Sequence, residues 1–381
     1  MQFLLGELQN PSLPRPLWPG KEISPERKSR MTFLYRKTAL AFALIAWMIA
    51  FTGAVSPQHT ATANQTPFIR DNFYDVAIHK ELVWIVGYYG TILNSQDRGL
   101  TWAKQQSGTT EALFRVVFRG ANFGWACGSY GTLLHTKDGG ATWQKQEVPV
   151  QEHLFGLDFI DQRHGVAVGS RGTILVTEDG GATWSNRSLG DDVTLNDVRF
   201  IDHQRGWLVG EFGRIYYSNN GGQSWVKQKS PIEVEFASGE SRSLFRLLMR
   251  DSHTLWAFGM DGSILATQDG HTWKIASPTG TSAAEARRSH LFAAAAFDGK
   301  GWAVGERGAL VVSNLTKNEW IPVNLKAPPT TLNGIAFGND HLGLIVGNRG
   351  LILRSDDRGQ HWQQPSFYLV ETAGNGVYSR R

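Results

Sequence analysis

Between Val86 and Trp362 short apolar runs alternate with glycine-rich polar punctuation, and the alternation repeats seven times as hydrophobic-Gly-x-x-Gly-(Thr)-Ile-Leu-x-Thr-x-Asp-Gly-Gly-x-Thr-Trp. The second copy shows the plan. Phe114–Phe118 is a β-rich run, Arg119–Phe123 a polar turn, Trp125–Cys127 and Thr132–Thr136 two further runs, and Trp143 opens a fourth. Runs this short, bounded by Gly, Asn, Asp and Ser, predict β-strands joined by tight hairpins. The third copy, Phe155–Trp184, follows the same order almost residue for residue.

The first glycine of each copy falls at Gly87, Gly128, Gly169, Gly210, Gly259, Gly305 and Gly347, with gaps of 41, 41, 41, 49, 46 and 42 residues. Four short strands per period of about forty residues define a propeller blade. The expected fold is all-β: a seven-bladed β-propeller of four-stranded blades over residues 64–381, preceded by an N-terminal signal or anchor segment over 1–63. Ring closure needs one more strand, and either Pro67–Asn72 or the tail Ser366–Glu371 could complete the seventh blade.

Two repeated motifs look like sites and read better as frame. Gly-x-x-Gly joins the second and third strands of each blade, where two glycines let the chain reverse with positive φ. A phosphate-binding loop would need a following helix and a Lys, and neither is present. The second motif, (Ser/Thr)-x-Asp-x-Gly-x-(Thr/Ser)-Trp, resembles the Asp box of bacterial-sialidase-like propellers. It carries Asp97, Asp138, Asp179 and Asp357, with Asn220 in copy four, a shortened version around Asp269 in copy five, and only Trp320 in copy six. Its carboxylates are expected to hold their own hairpins through backbone N–H groups, not a metal or a substrate. We expect no metal and no organic cofactor, because the eleven histidines are scattered and no His-Glu-x-x-His occurs.

Length variation is confined almost entirely to the stretch from each Trp to the next Gly. Trp225→Gly259 and Trp273→Gly305 carry the extra residues, which places long loops near 230–243 and 277–289. In a propeller those loops share a face with the second-to-third-strand hairpins, and the Asp boxes lie opposite. The hairpin pairs on that face are Tyr88/Tyr89, Ser129/Tyr130, Ser170/Arg171, Glu211/Phe212, Met260/Asp261, Glu306/Arg307 and Asn348/Arg349. Turn positions need only tolerate the backbone, so aromatics and arginines there suggest a protein-contact surface. The candidate partner-binding residues are Tyr88, Tyr89, Tyr130, Arg171, Arg307 and Arg349; no catalytic residue is assigned.

Charge changes the picture only by its location. The formal charge is +4, but residues 1–63 hold seven Lys/Arg and three Asp/Glu, leaving 31 basic and 31 acidic side chains from Asn64 onward. A neutral propeller gives no support for nucleic-acid binding. Arg36-Lys37, the uncharged run Thr38–Val55 and Ala61-Thr62-Ala63 describe a secretory signal peptide, or an anchor if it stays uncleaved. The single cysteine, Cys127, fits export to an oxidising space and occupies a slot that is Val or Phe in the other copies, so it reads as a small buried hydrophobe.

The run Leu/Phe-x-x-Val-x-Phe followed by Gly-Trp-Ala-Val-Gly-x-x-Gly-x-Ile-Leu-x-Thr-x-Asp-Gly-Gly-x-Thr-Trp resembles the photosystem II stability/assembly factor family, from about Phe73 to Trp362. The resemblance implies a seven-bladed propeller exported to a lumen or periplasm, without enzymatic activity, that binds subunits of a membrane complex during assembly. The family's basic binding patch is echoed by Arg171, Arg307 and Arg349, with Glu211, Glu306 and Asp261 between them. The implied partner is a subunit of a membrane protein complex, bound by a monomeric propeller, with no nucleic acid and no small-molecule substrate. The alternatives are a sialidase-like glycoside hydrolase, which needs three convergent arginines and a tyrosine nucleophile with an acidic partner, and a carbohydrate-binding propeller using Tyr88, Tyr89 and Tyr130. Acidic residues are not expected among the strand starts that line the central channel, which argues against the hydrolase.

Overall fold

A computed structural model describes residues 71–369 apart from 236, 237, 239, 241, 277, 279–287, 339, 340, 366 and 367. The targeting segment, Pro67–Arg70, Thr372–Arg381 and most of the 277–289 loop therefore lie outside the described residues. Among the described residues no helix is long and apolar enough to cross a membrane.

Seven antiparallel sheets follow one another in chain order. Their innermost strands are Phe73–His79, Leu113–Arg119, Leu154–Phe159, Leu195–Phe200, Leu244–Met249, Leu291–Phe297 and Leu332–Phe337. Each packs beside the next, and the last packs against the first, so these strands ring a central channel. Blades two to six have four strands. Blade seven has three, with its fourth reduced to a bridge between Arg354 and Gln363.

Closure departs from the tail alternative, while of Pro67–Asn72 only Asp71 and Asn72 lie among the described residues. The tail does not complete blade seven: Tyr368–Leu369 runs parallel to Thr101–Trp102 and becomes the outermost strand of blade one. The ring is sealed instead by the chain entering blade one, where Gly350 N donates to Asp71 O (2.7 Å) and Asn333 Nδ2 to Phe73 O (2.8 Å). Side-chain packing between sheets 1 and 7 does the rest, with Phe73, Val76 and Ile85 meeting Leu342, Leu344 and Val346 in one cluster. An extra outer strand is compatible with this because the outer edge of a blade is an open row of backbone donors and acceptors.

Three of the junctions between blades are stapled by a tryptophan of the second strand. Trp84 Nε1 donates to Gly139 O, Trp125 Nε1 to Gly180 O and Trp207 Nε1 to Gly270 O, each at 2.8 Å. In each case the acceptor is a glycine carbonyl in the Asp-box turn of the next blade. Where the second strand carries a Trp, it does two jobs, burial of a large ring and one interblade hydrogen bond, the latter contributing about 1 kcal/mol net. Cys127 is fully buried among apolar side chains, and burial pushes its thiol pKa well above the ordinary value, as its register indicated.

The two glycines of Gly-x-x-Gly do different work, which corrects their common reading. Only the second adopts positive φ, as at Gly131 (+64°). The first is extended and is required by space: a Cβ on Gly128 would stand 1.9 Å from Ala112 O. The positive φ is shared instead with the residue between them, because Tyr89, Tyr130, Arg171, Phe212, Asp261, Arg307 and Arg349 all sit in the left-handed region. A non-glycine residue there costs on the order of 1–2 kcal/mol.

Candidate functional site

The hairpins and interblade loops lie on one face, since Gly131 N donates to Glu152 O and Tyr88 N to Asn72 O across the two kinds of connection. Closure makes blades six, seven, one, two and three a contiguous arc. That arc carries Arg307, Arg349, Tyr88 with Tyr89, Tyr130 and Arg171 in order around the rim. Tyr89 is 61% exposed and Tyr130 65%. Arg171 approaches Glu152 only at 3.9 Å and Arg307 its own neighbour Glu306 at 3.8 Å, both solvent-facing pairs worth little.

Blade four breaks the arc for a physical reason. Its Phe212 is buried, not displayed, because the long loop after Gln228 folds back over the hairpin. Val234 N donates to Phe212 O at 3.1 Å, and Ile232 and Val234 cover the adjoining core. Glu211 turns inward and accepts Thr194 N at 2.8 Å, and burial raises its pKa from the ordinary carboxylate value. Ile232 and Val234 of the first long loop therefore cover the hairpin of blade four.

A second ring of residues lies inside the first and was not singled out in the sequence. Every innermost strand opens with a β-bulge, and the bulged residues are Tyr74, Phe114, Phe155, Asn196, Phe245, Phe292 and Asn333. A bulge leaves one residue out of the ladder and re-aims its side chain. These residues are half-buried. Tyr74, Phe114 and Phe155 form a row at centroid spacings of 5.5 and 5.3 Å. The row continues through His153 to Tyr130, whose ring lies 4.8 Å from the imidazole. Burial holds His153 below its ordinary pKa against the pull of Glu111 and Glu152, and its neutral Nδ1 accepts Tyr130 N at 3.3 Å. Phe245, Phe292 and His290 make a smaller group on blades five and six. Asn196 and Asn333 separate the two groups, each donating to the first residue of the next blade's inner strand at 2.8 Å. The signal for this ring was the variable second position of Leu/Phe-x-x-Val, an x that alternates aromatic with Asn.

Below the aromatic layer the channel is ionic, contrary to the expectation that no acidic residue lines it. Arg115 Nη2 pairs with Asp197 at 2.7 Å, Arg246 Nη2 with Asp75 at 3.1 Å, and Arg119 Nη2 with Asp158 at 3.0 Å. Arg199 lies 3.7 Å from both Asp158 and Asp197. The carboxylates also take backbone donors from neighbouring blades: Val116 N to Asp75, Leu247 N to Asp197 and Phe200 N to Asp158. Burial pushes Asp75 and Asp197 up from the ordinary carboxylate pKa, with the Arg115 charge the strongest opposing influence. Three of these arginines do converge, but each is engaged by an aspartate, so none is free to grip a substrate carboxylate. Tyr74 is a poor nucleophile as well, since burial pushes its hydroxyl pKa up to about 12.

On the opposite face the Asp boxes close upon themselves. Asp97 accepts Thr101 N at 2.8 Å and Thr101 Oγ1 at 2.6 Å, while Ser95 Oγ accepts Gly99 N at 2.8 Å. Asp138 and Asp179 repeat the pattern with Thr142 and Thr183, and Asp357 takes His361 N at 2.9 Å. Asn220 keeps the acceptor half and donates its amide to Ser224 Oγ, where a carboxylate would have accepted. Asp269 accepts Thr272 N and His271 N, and these bonds hold its pKa well below the ordinary range.

Fold and surface together define a class: an Asp-box β-propeller whose hairpin face is aromatic and basic. The sequence model of the family described as photosynthesis system II assembly factor YCF48 matches residues 56–147 and 137–228, through blades one to four. The chain thus carries that family's repeat, and the resemblance read from its motifs holds. A solved structure described as YCF48 bound to D1 peptide is similar at 21% identity and a TM-score of 0.60, covering 77% of this chain and 93% of that one. YCF48 from Cyanidioschyzon merolae is similar at 18% identity and 0.59, covering 78% and 99%. The fold is also shared with the GH74 enzyme of Niastella koreensis, at 15% identity and 0.60, covering 78% and 54%. Among curated protein sequences none matches.

Proposed function

We propose that this protein is a non-catalytic assembly or stability factor that binds a segment of a membrane-complex subunit on its hairpin face. The observation that carries the reading is the contiguous arc from Arg307 through Arg349, Tyr89 and Tyr130 to Arg171, backed by the bulged aromatics Tyr74, Phe114 and Phe155. The tyrosines and arginines on these turns leave most of their side chains in solvent, and such residues supply much of the binding energy at protein interfaces. The similarity to YCF48, and to a YCF48 structure holding a D1 peptide, supports a peptide segment as the ligand. Export to a periplasm or lumen, with the apolar segment cleaved or retained as a tether, belongs to the same reading and rests on Thr38–Val55 and Ala61–Ala63. The occupied arginines of the channel weigh against the sialidase reading.

The test is crosslinking of the tagged protein in its native envelope, with wild type beside the double variant Tyr89→Ala/Tyr130→Ala. One defined membrane-complex subunit is expected with wild type and its loss with the variant, at an unchanged thermal midpoint. Equal recovery with both would remove the face from the argument, and hydrolysis of a fluorogenic sialoside, abolished in Arg115→Lys, would replace the scaffold reading.

A further inference from the structure

We propose that Asp161, His164 and His203 form a binding site for a divalent transition-metal ion that ties blade three to blade four on the Asp-box face. The spacing of histidines in the sequence pointed to no metal, because the three residues come from two blades. Asp161 and His164 sit in the first-to-second-strand hairpin of blade three, and His203 in the equivalent hairpin of blade four. Folding brings one donor atom of each within 4.8 Å of the others.

Three observations support an ion over a simple polar cluster. First, the carboxylate is divided in function. Asp161 Oδ1 accepts Arg163 N and His164 N, both at 2.7 Å, which fixes the carboxyl plane. Oδ2 then faces His164 Nδ1 and His203 Nε2, each at 2.9 Å. Three donors about 2.0–2.2 Å from a tetrahedral zinc ion stand roughly 3.4 Å apart, so the two 2.9 Å contacts need open by only about half an ångström to admit one. Secondly, the two imidazoles meet edge to face, at 5.0 Å and 83°, so their nitrogens converge instead of stacking. Thirdly, the neighbouring hairpins satisfy the corresponding aspartate with an arginine: Asp202 takes Arg205 Nε and Asp251 takes Arg250 Nε, each at 2.8 Å. In blade three the arginine at hand, Arg163, turns to Glu178 O (3.3 Å), leaving the carboxylate to two imidazoles.

The cluster also has room for the rest of a coordination shell. A cavity of about 110 Å³ lies beside it, lined by His164, His203, Thr177, Glu178, Asn220 and Gln223. Two imidazoles and one carboxylate suit Zn²⁺ and its first-row neighbours and are a poor match for Ca²⁺ or Mg²⁺, which prefer all-oxygen shells. With three protein ligands the ion would keep an open position toward that cavity.

The full chain, carrying an affinity tag without histidine, should be titrated with ZnCl₂ by calorimetry beside His203→Ala and Asp161→Asn. One saturable equivalent is expected for wild type, with affinity reduced at least about tenfold in each variant, the loss that even outer-shell partners of a metal produce. His203 is exposed, so its replacement leaves folding intact, and circular dichroism of both variants checks this. Saturable binding should also raise the thermal midpoint of wild type and not that of His203→Ala. Absence of a saturable equivalent, or equal affinity in all three proteins, would overturn the site.

Discussion

The two faces of the ring use similar polar side chains to opposite ends. On the Asp-box face each box carboxylate is consumed by its own turn: Asp138 accepts Thr142 N and Thr142 Oγ1, and Thr136 Oγ1 accepts Gly140 N. On the hairpin face Tyr89 and Tyr130 stand mostly in solvent on backbone that an L-residue enters at a cost. A motif whose polar atoms are all used within itself is frame, however strictly it repeats. The exposed rings on these turns are the side chains that the proposed function assigns to a partner.

The sharpest way to break this comparison lies within one hairpin. Gly128 and Tyr130 are two residues apart, yet one is frame and the other is display. Gly128→Ala drives a methyl group into Ala112 O, 1.9 Å away on the backbone just before the inner strand, and should cost more than about 3 kcal/mol. Tyr130→Ala should change stability by no more than about 0.5 kcal/mol. Urea unfolding of both variants measures the contrast, and similar costs for the two would erase the distinction.

A second effect separates the faces by pH. His135, one residue before the Asp-box Thr136, stacks on Trp125 at 4.8 Å and 3°. Burial, aided by the Lys137 charge, lowers its pKa from 6.5 to about 4. The unfolded chain therefore binds the proton more readily, and stability present above pH 6.5 is lost as pH falls toward 4. The loss should be on the order of 2 kcal/mol. His135→Phe keeps the stack and should flatten the curve of stability between those limits. An unchanged slope in the variant would show that other groups carry it. The boxes themselves respond lower: Asp179 is held at about 2, its hydrogen bonds from Thr183 and Thr177 outweighing burial, so its contribution fades only as pH falls from 3.8 through 2.

Much of this was legible in the sequence because a period of about forty residues over-determines the fold. Seven registers of Gly and Trp, five of them with the box Asp, fixed blade number, hairpin positions and the two faces, and with them the hairpin positions of Tyr88, Tyr89, Tyr130, Arg171, Arg307 and Arg349. What escaped has a common cause. The Asp75–Arg115–Asp197–Arg246 network joins residues as far as 171 positions apart in sequence, and no local pattern reports pairings across the channel. The bulges that turn Tyr74, Phe114 and Phe155 inward are likewise invisible, because alternation along the strand cannot show where the ladder skips a residue. Phe212 looked like display and proved to be covered, since whether a loop folds back depends on Ile232 and Val234 finding core to cover.

An intermediate test asks whether the Asp boxes are as self-contained as they look. Asp138→Ala removes the acceptor for Thr142 N and Thr142 Oγ1 and should cost about 1–2 kcal/mol, the range for a lost charged acceptor in a partly solvated turn. Asn220→Asp should gain a few tenths of that, because a carboxylate accepts from Ser224 Oγ where the amide now has to donate. Guanidinium unfolding of both variants decides. No loss for Asp138→Ala would mean that the turns are held by their glycines and tryptophans alone.

The smallest expected effect is also the most telling, because its sign differs between folding and binding. Tyr130 sits at φ 50° beside Gly131 at 64°, so the hairpin carries left-handed strain that glycine would relieve. Relief of about 1–2 kcal/mol is set against the greater freedom that glycine gives the unfolded chain, a cost of roughly 0.5–1 kcal/mol. Tyr130→Gly should therefore leave stability unchanged or raise it by up to about 1.5 kcal/mol, while removing the ring that meets His153 at 4.8 Å. Recovery of the crosslinked partner should fall although the protein is no less stable, a pairing that a purely structural tyrosine cannot produce. If Tyr130→Gly instead destabilised the propeller and left the partner bound, the aromatic row from Tyr130 to Tyr74 would belong to the frame after all.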